Sequence, residues 1–142
     1  MQHLRRWMYG VGALYLFLAL MATPPFMSRL FPLLGHKLEP SAQRVLLDGI
    51  IFISAIVGLL GIFLLRGAKY PNLHRELVKL VIWVEVIAGA CLNLYLALRG
   101  YGSPILFSLM ATGHAIIALL GREALIRDHR HLSPVHPFSK AS

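Results

Sequence analysis

Residues 46–65 read LLDGIIFISAIVGLLGIFLL, twenty residues in which Asp48 is the only charge. A helix of roughly 20 predominantly apolar residues rises about 30 Å, enough to cross the hydrocarbon core of a bilayer. This stretch sets the second of four predicted spans, at about 45–65. A first span at about 7–27 runs through GVGALYLFLALMA. A third, at about 77–98, is LVKLVIWVEVIAGACLNLYLAL, and a fourth, at about 104–126, is PILFSLMATGHAIIALLGREALI. The expected fold is all-α: a four-transmembrane-helix antiparallel up-down-up-down bundle over 1–128, followed by a cytoplasmic tail at 129–142.

Composition supports this reading. Hydrophobic residues make up 57% of the 142 residues and charged residues 14%, against about 25% charged in a soluble domain. The length allows one domain. The single cysteine, Cys91, excludes a disulfide framework and a cysteine metal site, and it is expected to pack as a small buried hydrophobe. The net charge of +8 lies in bases at the ends of the apolar runs. There Lys and Arg anchor helices and meet anionic headgroups, so membrane lipids are the expected partners and nucleic acid is not.

The distribution of those bases sets the orientation. The N-terminus (Arg5, Arg6), the second loop (Arg66, Lys69, Arg75, Lys79) and the C-terminal region (Arg122, Arg127, Arg130, Lys140) hold ten. Arg29, Lys37, Arg44 and Arg99 make four on the other side. The positive-inside rule then puts both termini in the cytoplasm of a bacterial inner membrane. Arg5 and Arg6 before an apolar run resemble a signal peptide. The Thr and two prolines after Leu20-Met21-Ala22 instead make this an uncleaved first helix.

Loop residues punctuate the spans. Pro24-Pro25 ends or bends the first, and Pro32, Gly35 and Pro40 keep the next connection irregular. Asn72 is a predicted N-cap, and Gly100, Gly102 and Pro104 form a tight turn. Helices packed in a membrane approach closely at small residues, here Gly58, Gly61, Gly89, Gly113 and Gly121. Trp7, Tyr9, Tyr70 and Tyr101 stand near span ends, as an aromatic belt requires.

Ionisable residues at membrane depth are costly and need partners. Asp48, Glu85 and His114 are the three of interest. Glu85 lies about 12 Å into the third span from the inner side, and His114 about 15 Å into the fourth from the outer side. Opposite entry points bring them to similar depth. Glu85, Gly89 and Asn93 share one face at i, i+4 and i+8. Ser54, Ser108 and Thr112 are expected to add hydrogen bonds. At the outer end, Asp48 and Arg99 are expected at one level, with Tyr95 a turn below, as a clamp or a lid. No residue set is assigned as catalytic. Glu85 and His114 are the candidate acid/base pair if the protein is an enzyme, and Asp48, Glu85, Asn93, Tyr95, Arg99 and His114 are the ligand-binding candidates. No metal is expected, and no cofactor, although His114 offers one axial ligand to a haem or chlorophyll. His129, His131 and His136 belong to a solvated tail, with Phe138 available to dock on a partner.

WVEVIAGACLNLYLALRGYGSPILFSLMATGHAIIALLG resembles the BphX-like family, small four-helix bacterial membrane proteins named from biphenyl-degradation gene clusters. Glu85, Gly89, Tyr95, the Arg99-Gly100-Tyr101 turn, His114 and Gly121 carry the likeness, with Leu47-Asp48 earlier. It covers about two-thirds of the chain. Asn93 stands where an acidic residue is expected, which speaks against a two-carboxylate mechanism. The resemblance implies the architecture and a bacterial source, and implies no activity.

Two functions follow from these features. One is a non-catalytic accessory or assembly subunit of a larger membrane complex, associating with other membrane subunits or with itself. The other is an intramembrane binder, permeation aid or isomerase-like enzyme for small apolar compounds, built on Glu85 and His114. No P-loop, dinucleotide fingerprint, HExxH or GxSxG motif is present.

Overall fold

A computed structural model of the chain describes residues 2–23, 25–27, 29, 40–100 and 103–130, which are helical apart from short turns and contain no strand. Among the described residues four long helices follow one another: α1, Gln2–Met21; α2, Pro40–Gly67; α3, Arg75–Leu98; and α4, Pro104–Arg130. Within α3 the winding is α over Arg75–Val84, π over Glu85–Cys91, and α again over Leu92–Leu98.

Three segments, Leu47–Gly67, Arg75–Leu98 and Pro104–Asp128, are long and apolar enough to cross a membrane. α1 falls short of that measure because Arg5 and Arg6 lie in its first two turns. From Trp7 to Met21 it offers only roughly 22 Å of apolar rise. Large apolar side chains stand exposed on all four helices, among them Phe17, Phe52, Trp83 and Leu109. Hydrocarbon solvates such side chains without the cost that water would impose.

Several boundaries differ from expectation. Pro40 opens α2 instead of belonging to an irregular loop, a position where its missing N–H costs nothing. Pro32 and Gly35 lie outside the described residues. α3 is preceded by His74 at the N-cap position with no side-chain capping bond, so Asn72 is not the cap. Pro104 is the first residue of α4, as predicted, and that helix continues to Arg130, past the expected end at 126. Gly100 has φ +71°, the left-handed turn conformation that glycine adopts without steric cost.

The chain divides into two compact units, residues 1–7 with 70–142, and residues 8–69. In the first, α3 and α4 pack antiparallel. Gly89 meets His114, and Arg75 Nη2 donates to the Leu125 carbonyl oxygen at 3.2 Å. The first turns of α1 belong here too. The Leu4 N–H donates to Asp128 Oδ2 at 3.4 Å, Trp7 Nε1 donates to the Ile117 carbonyl oxygen at 3.1 Å, and the Trp7 ring lies against Gly121. Trp7 is therefore buried and is not the interfacial anchor expected from its position. Val78, Val81, Ala118 and Ala124 complete this core.

In the second unit α1 and α2 cross antiparallel at two glycines. A methyl group at Gly61 would sit 2.8 Å from the Gly12 carbonyl oxygen and 3.1 Å from Tyr15 Cβ, so only hydrogen fits. Gly58 faces Ala19. Met8, Val11, Tyr15, Leu64 and Ala68 are buried. Toward Thr23 the same helices part, leaving an open apolar groove of about 370 Å³ lined by residues such as Leu16, Ala19, Ser54, Ala55 and Ile62. Gly113, an expected close-approach point, meets nothing within 4 Å. Its place in the fourth span does not reveal which side it turns to, and it is exposed.

Candidate functional site

The residues that bury polar groups on α3 lie on and just beyond its π segment. Glu85 opens that segment, Gly89 lies inside it, and Asn93 follows its end. Val78, Val81, Glu85, Gly89 and Asn93 form one buried face, so a stripe that is apolar in the first turns becomes polar near mid-helix. The Leu92 N–H bonds the Ile87 carbonyl oxygen, five residues back, which marks the widened turn. Where the winding returns to α, Asn93 Nδ2 donates to the Gly89 carbonyl oxygen at 2.7 Å. π turns inside α-helices occur frequently at functional sites.

Across from this segment, α4 supplies His114. Its Nδ1 lies 2.5 Å from Glu85 Oε2. The Glu85 side chain is 1% exposed and the His114 side chain 29%. Gly89 makes the contact possible, because a methyl group there would sit 2.5 Å from His114 Nδ1 and 2.7 Å from its Cβ. The imidazole occupies the volume that any other residue at 89 would fill. His114 Nε2 makes no hydrogen bond among the described residues. The pair can share a proton, fix the ring orientation and present one ring nitrogen, since the bond at one nitrogen sets the role of the other.

The other candidates are dispersed. Asn93 is buried close to the pair on the same helix and spends its amide on Gly89. Tyr95 and Arg99 are exposed at the far end of α3, the guanidinium 6.0 Å from the ring centroid, the distance of a cation–π contact. Asp48 is exposed in the unit formed by residues 8–69, whereas Arg99 belongs to the other unit. The hydroxyls expected near the pair serve their own helices instead. Thr112 Oγ1 donates to the Ser108 carbonyl oxygen at 2.8 Å, and Ser54 Oγ to that of Ile50 at 2.5 Å. A helical Ser or Thr always has the carbonyl four residues back within reach, and that local acceptor wins. Cys91, expected to be buried, is exposed. It follows the buried Gly89 by two residues, which turns it to the opposite side.

Among the described residues no three His, Cys, Asp or Glu side chains gather to hold a metal ion. His129 lies in the last turn of α4, which ends at Arg130, while His131, His136 and Phe138 lie outside the described residues. Sequence reasoning passed over Asp128, fully buried and bonded to the Leu4 N–H. Its signal was an acidic residue between Arg127 and His129 at the end of an apolar run, where a solvated ion pair is the usual outcome.

No curated protein and no solved structure matches the chain. The model of the family described as BphX-like does match, over residues 1–130, a range that holds every described residue of α1 to α4 together with Glu85, Gly89 and His114; the chain belongs to the BphX-like family.

Proposed function

We propose that this protein is a non-catalytic accessory or assembly subunit of a larger complex in a bacterial inner membrane. In this reading all four helices cross the bilayer, up-down-up-down, with both termini in the cytoplasm. α1 completes its crossing through the residues after Met21, where Pro25–Met27 is again helical. The observation that carries the reading is the contrast between the buried Glu85–His114 pair and the apolar surface. The Glu85 side chain is 1% exposed, which supports a packing role for the pair over chemistry on a substrate. Large side chains such as Phe52, Trp83, Leu98 and Ile105 remain uncovered, ready for lipid or neighbouring helices. Native mass spectrometry after mild detergent extraction from the host tests the idea. Additional polypeptides that stay bound in defined ratio are the expected result. A chain that emerges alone, or only with copies of itself, would remove it. Reporter fusions at both ends test the orientation, and activity of a periplasmic reporter at either end would reverse it.

A second reading, a binder, permeation aid or isomerase-like protein for small apolar compounds, is favoured by one observation: Glu85 and His114 meet, and His114 is partly accessible. If Glu85→Gln and His114→Ala leave ligand binding unchanged, this reading is lost.

A further inference from the structure

We propose that the groove between α1 and α2 holds one acyl chain of a phospholipid, and that Arg44 and Asp48, above its Ile51 end, bind the zwitterionic ethanolamine headgroup. The assignment is independent of the subunit reading and of the Glu85–His114 pair.

The groove is made by what its walls lack. Ala19, Ala22, Ala55 and Gly58 line it with side chains too small to fill the space between the two helices, which leaves about 370 Å³ open to the side. The Ser54 hydroxyl in its wall is spent on the Ile50 carbonyl oxygen, so the walls favour an apolar body. Along α2 the lining runs from Ile51 to Ile62, about 16 Å of rise. That is close to half of the roughly 30 Å hydrocarbon core, the depth that one acyl chain occupies in its leaflet. A transmembrane helix is about 10 Å across and over that length fills several times this volume, whereas a single chain fits within it.

The register of α2 gives the polar end. Arg44, Asp48, Ile51, Ala55, Gly58 and Ile62 follow one another at alternating intervals of four and three residues, which keeps them on one face of the helix. The last four line the groove, so Arg44 and Asp48 continue its floor beyond Ile51. Both are exposed, and neither makes a hydrogen bond or ion pair among the described residues. An acid four residues after a base is the weaker order for a helix ion pair, which leaves both groups available. A base and an acid side by side match a headgroup that carries both charges. The Arg44 guanidinium donates to the phosphate, and the Asp48 carboxyl accepts from an ammonium N–H. The choline headgroup has no such N–H, and the glycerol headgroup brings hydroxyls but no cation. Ethanolamine is the one of the three that meets both residues.

The test uses the full chain in nanodiscs made of equal parts of palmitoyl-oleoyl phosphatidylethanolamine, phosphatidylcholine and phosphatidylglycerol. Native mass spectrometry counts the lipids that stay bound on release. One retained phosphatidylethanolamine per chain is expected, favoured roughly tenfold over each competitor, the worth of one charge-assisted hydrogen bond. Asp48→Asn should abolish that preference, and Arg44→Gln should weaken retention of all three lipids. Ala55→Leu, which puts a larger side chain into the groove, should remove the retained lipid. Phe52→Ala, an exposed change off the groove, should alter nothing. If phosphatidylglycerol is preferred, or all three are retained alike, the headgroup assignment is overturned. If no lipid is retained, or retention ignores Ala55→Leu, the groove assignment falls. It falls equally if Ala55→Leu releases a bound polypeptide from complexes extracted from the host, because the occupant is then a partner helix. The headgroup competition changes the lipid and not the protein, so it decides even if Ala55→Leu folds poorly.

Discussion

At the scale of single residues, Gly89 and His114 behave as one packing unit, and that coupling has measurable consequences. Gly89→Ala places a methyl group in the imidazole volume. The ring must move and the Glu85 contact must lengthen, so a loss of roughly 1–3 kcal/mol is expected, as for overpacking in a tight core. Thermal unfolding in detergent reads it, and an unchanged midpoint would mean the ring relocates freely. His114→Leu leaves a carboxylate that is 1% exposed without its imidazole and should cost more, roughly 3–5 kcal/mol. Adding Glu85→Leu to that variant should recover most of the loss, because an apolar pair carries no desolvation penalty. A double-mutant cycle in which the two losses simply add would show that the residues do not interact. Gly113→Leu is the opposite case. Its side chain would enter open space, and stability should hold within about 0.5 kcal/mol.

At the scale of elements, two kinds of helix contact are visible. α3 meets α4 through side chains, whereas α1 meets α2 backbone to backbone at Gly12 and Gly61. Gly61→Ala presses a methyl group on a carbonyl oxygen that has no rotamer to retreat into, so α1 and α2 must separate. Crosslinking efficiency between cysteines placed at Ala19 and Ala55 should fall as a result, and undiminished crosslinking would contradict the close crossing. Much of this level was legible in the sequence. The apolar runs at 45–65, 77–98 and 104–126 lie inside α2, α3 and α4, because length and composition alone decide whether a run can span. The common depth of Glu85 and His114 followed from counting rise from opposite ends. The π segment was not legible. Its residues, EVIAGAC, contain no proline, and their glycine, Gly89, reads equally as a close-approach point in an ordinary α-helix. Gly12 was missed because its partner lies on another helix, and Trp7 was misplaced because position near a span end does not reveal whether a ring turns toward lipid or toward Gly121.

For the whole molecule, the solvent decides what exposure means. Cys91 is exposed, yet it belongs to a helix apolar enough to cross a membrane. In hydrocarbon no water-soluble reagent arrives, so a charged maleimide should leave Cys91 unlabelled in intact membranes and label it once the helices are unfolded in denaturing detergent. Rapid labelling in the intact membrane would place that part of α3 against water.

The π segment of α3 also bears on register. A turn closed by bonds to the fifth residue back holds one residue more than a turn closed by bonds to the fourth, so Glu85–Cys91 takes up one residue beyond what ordinary α winding needs. Removing one residue there should let the segment wind as α, and Glu85 and Asn93, then seven positions apart, would still share a face. Deleting Ala88 should therefore be tolerated in thermal unfolding, whereas deleting Leu80, in the α-wound stretch before it, turns Val78 away from the buried face and should destabilise the protein.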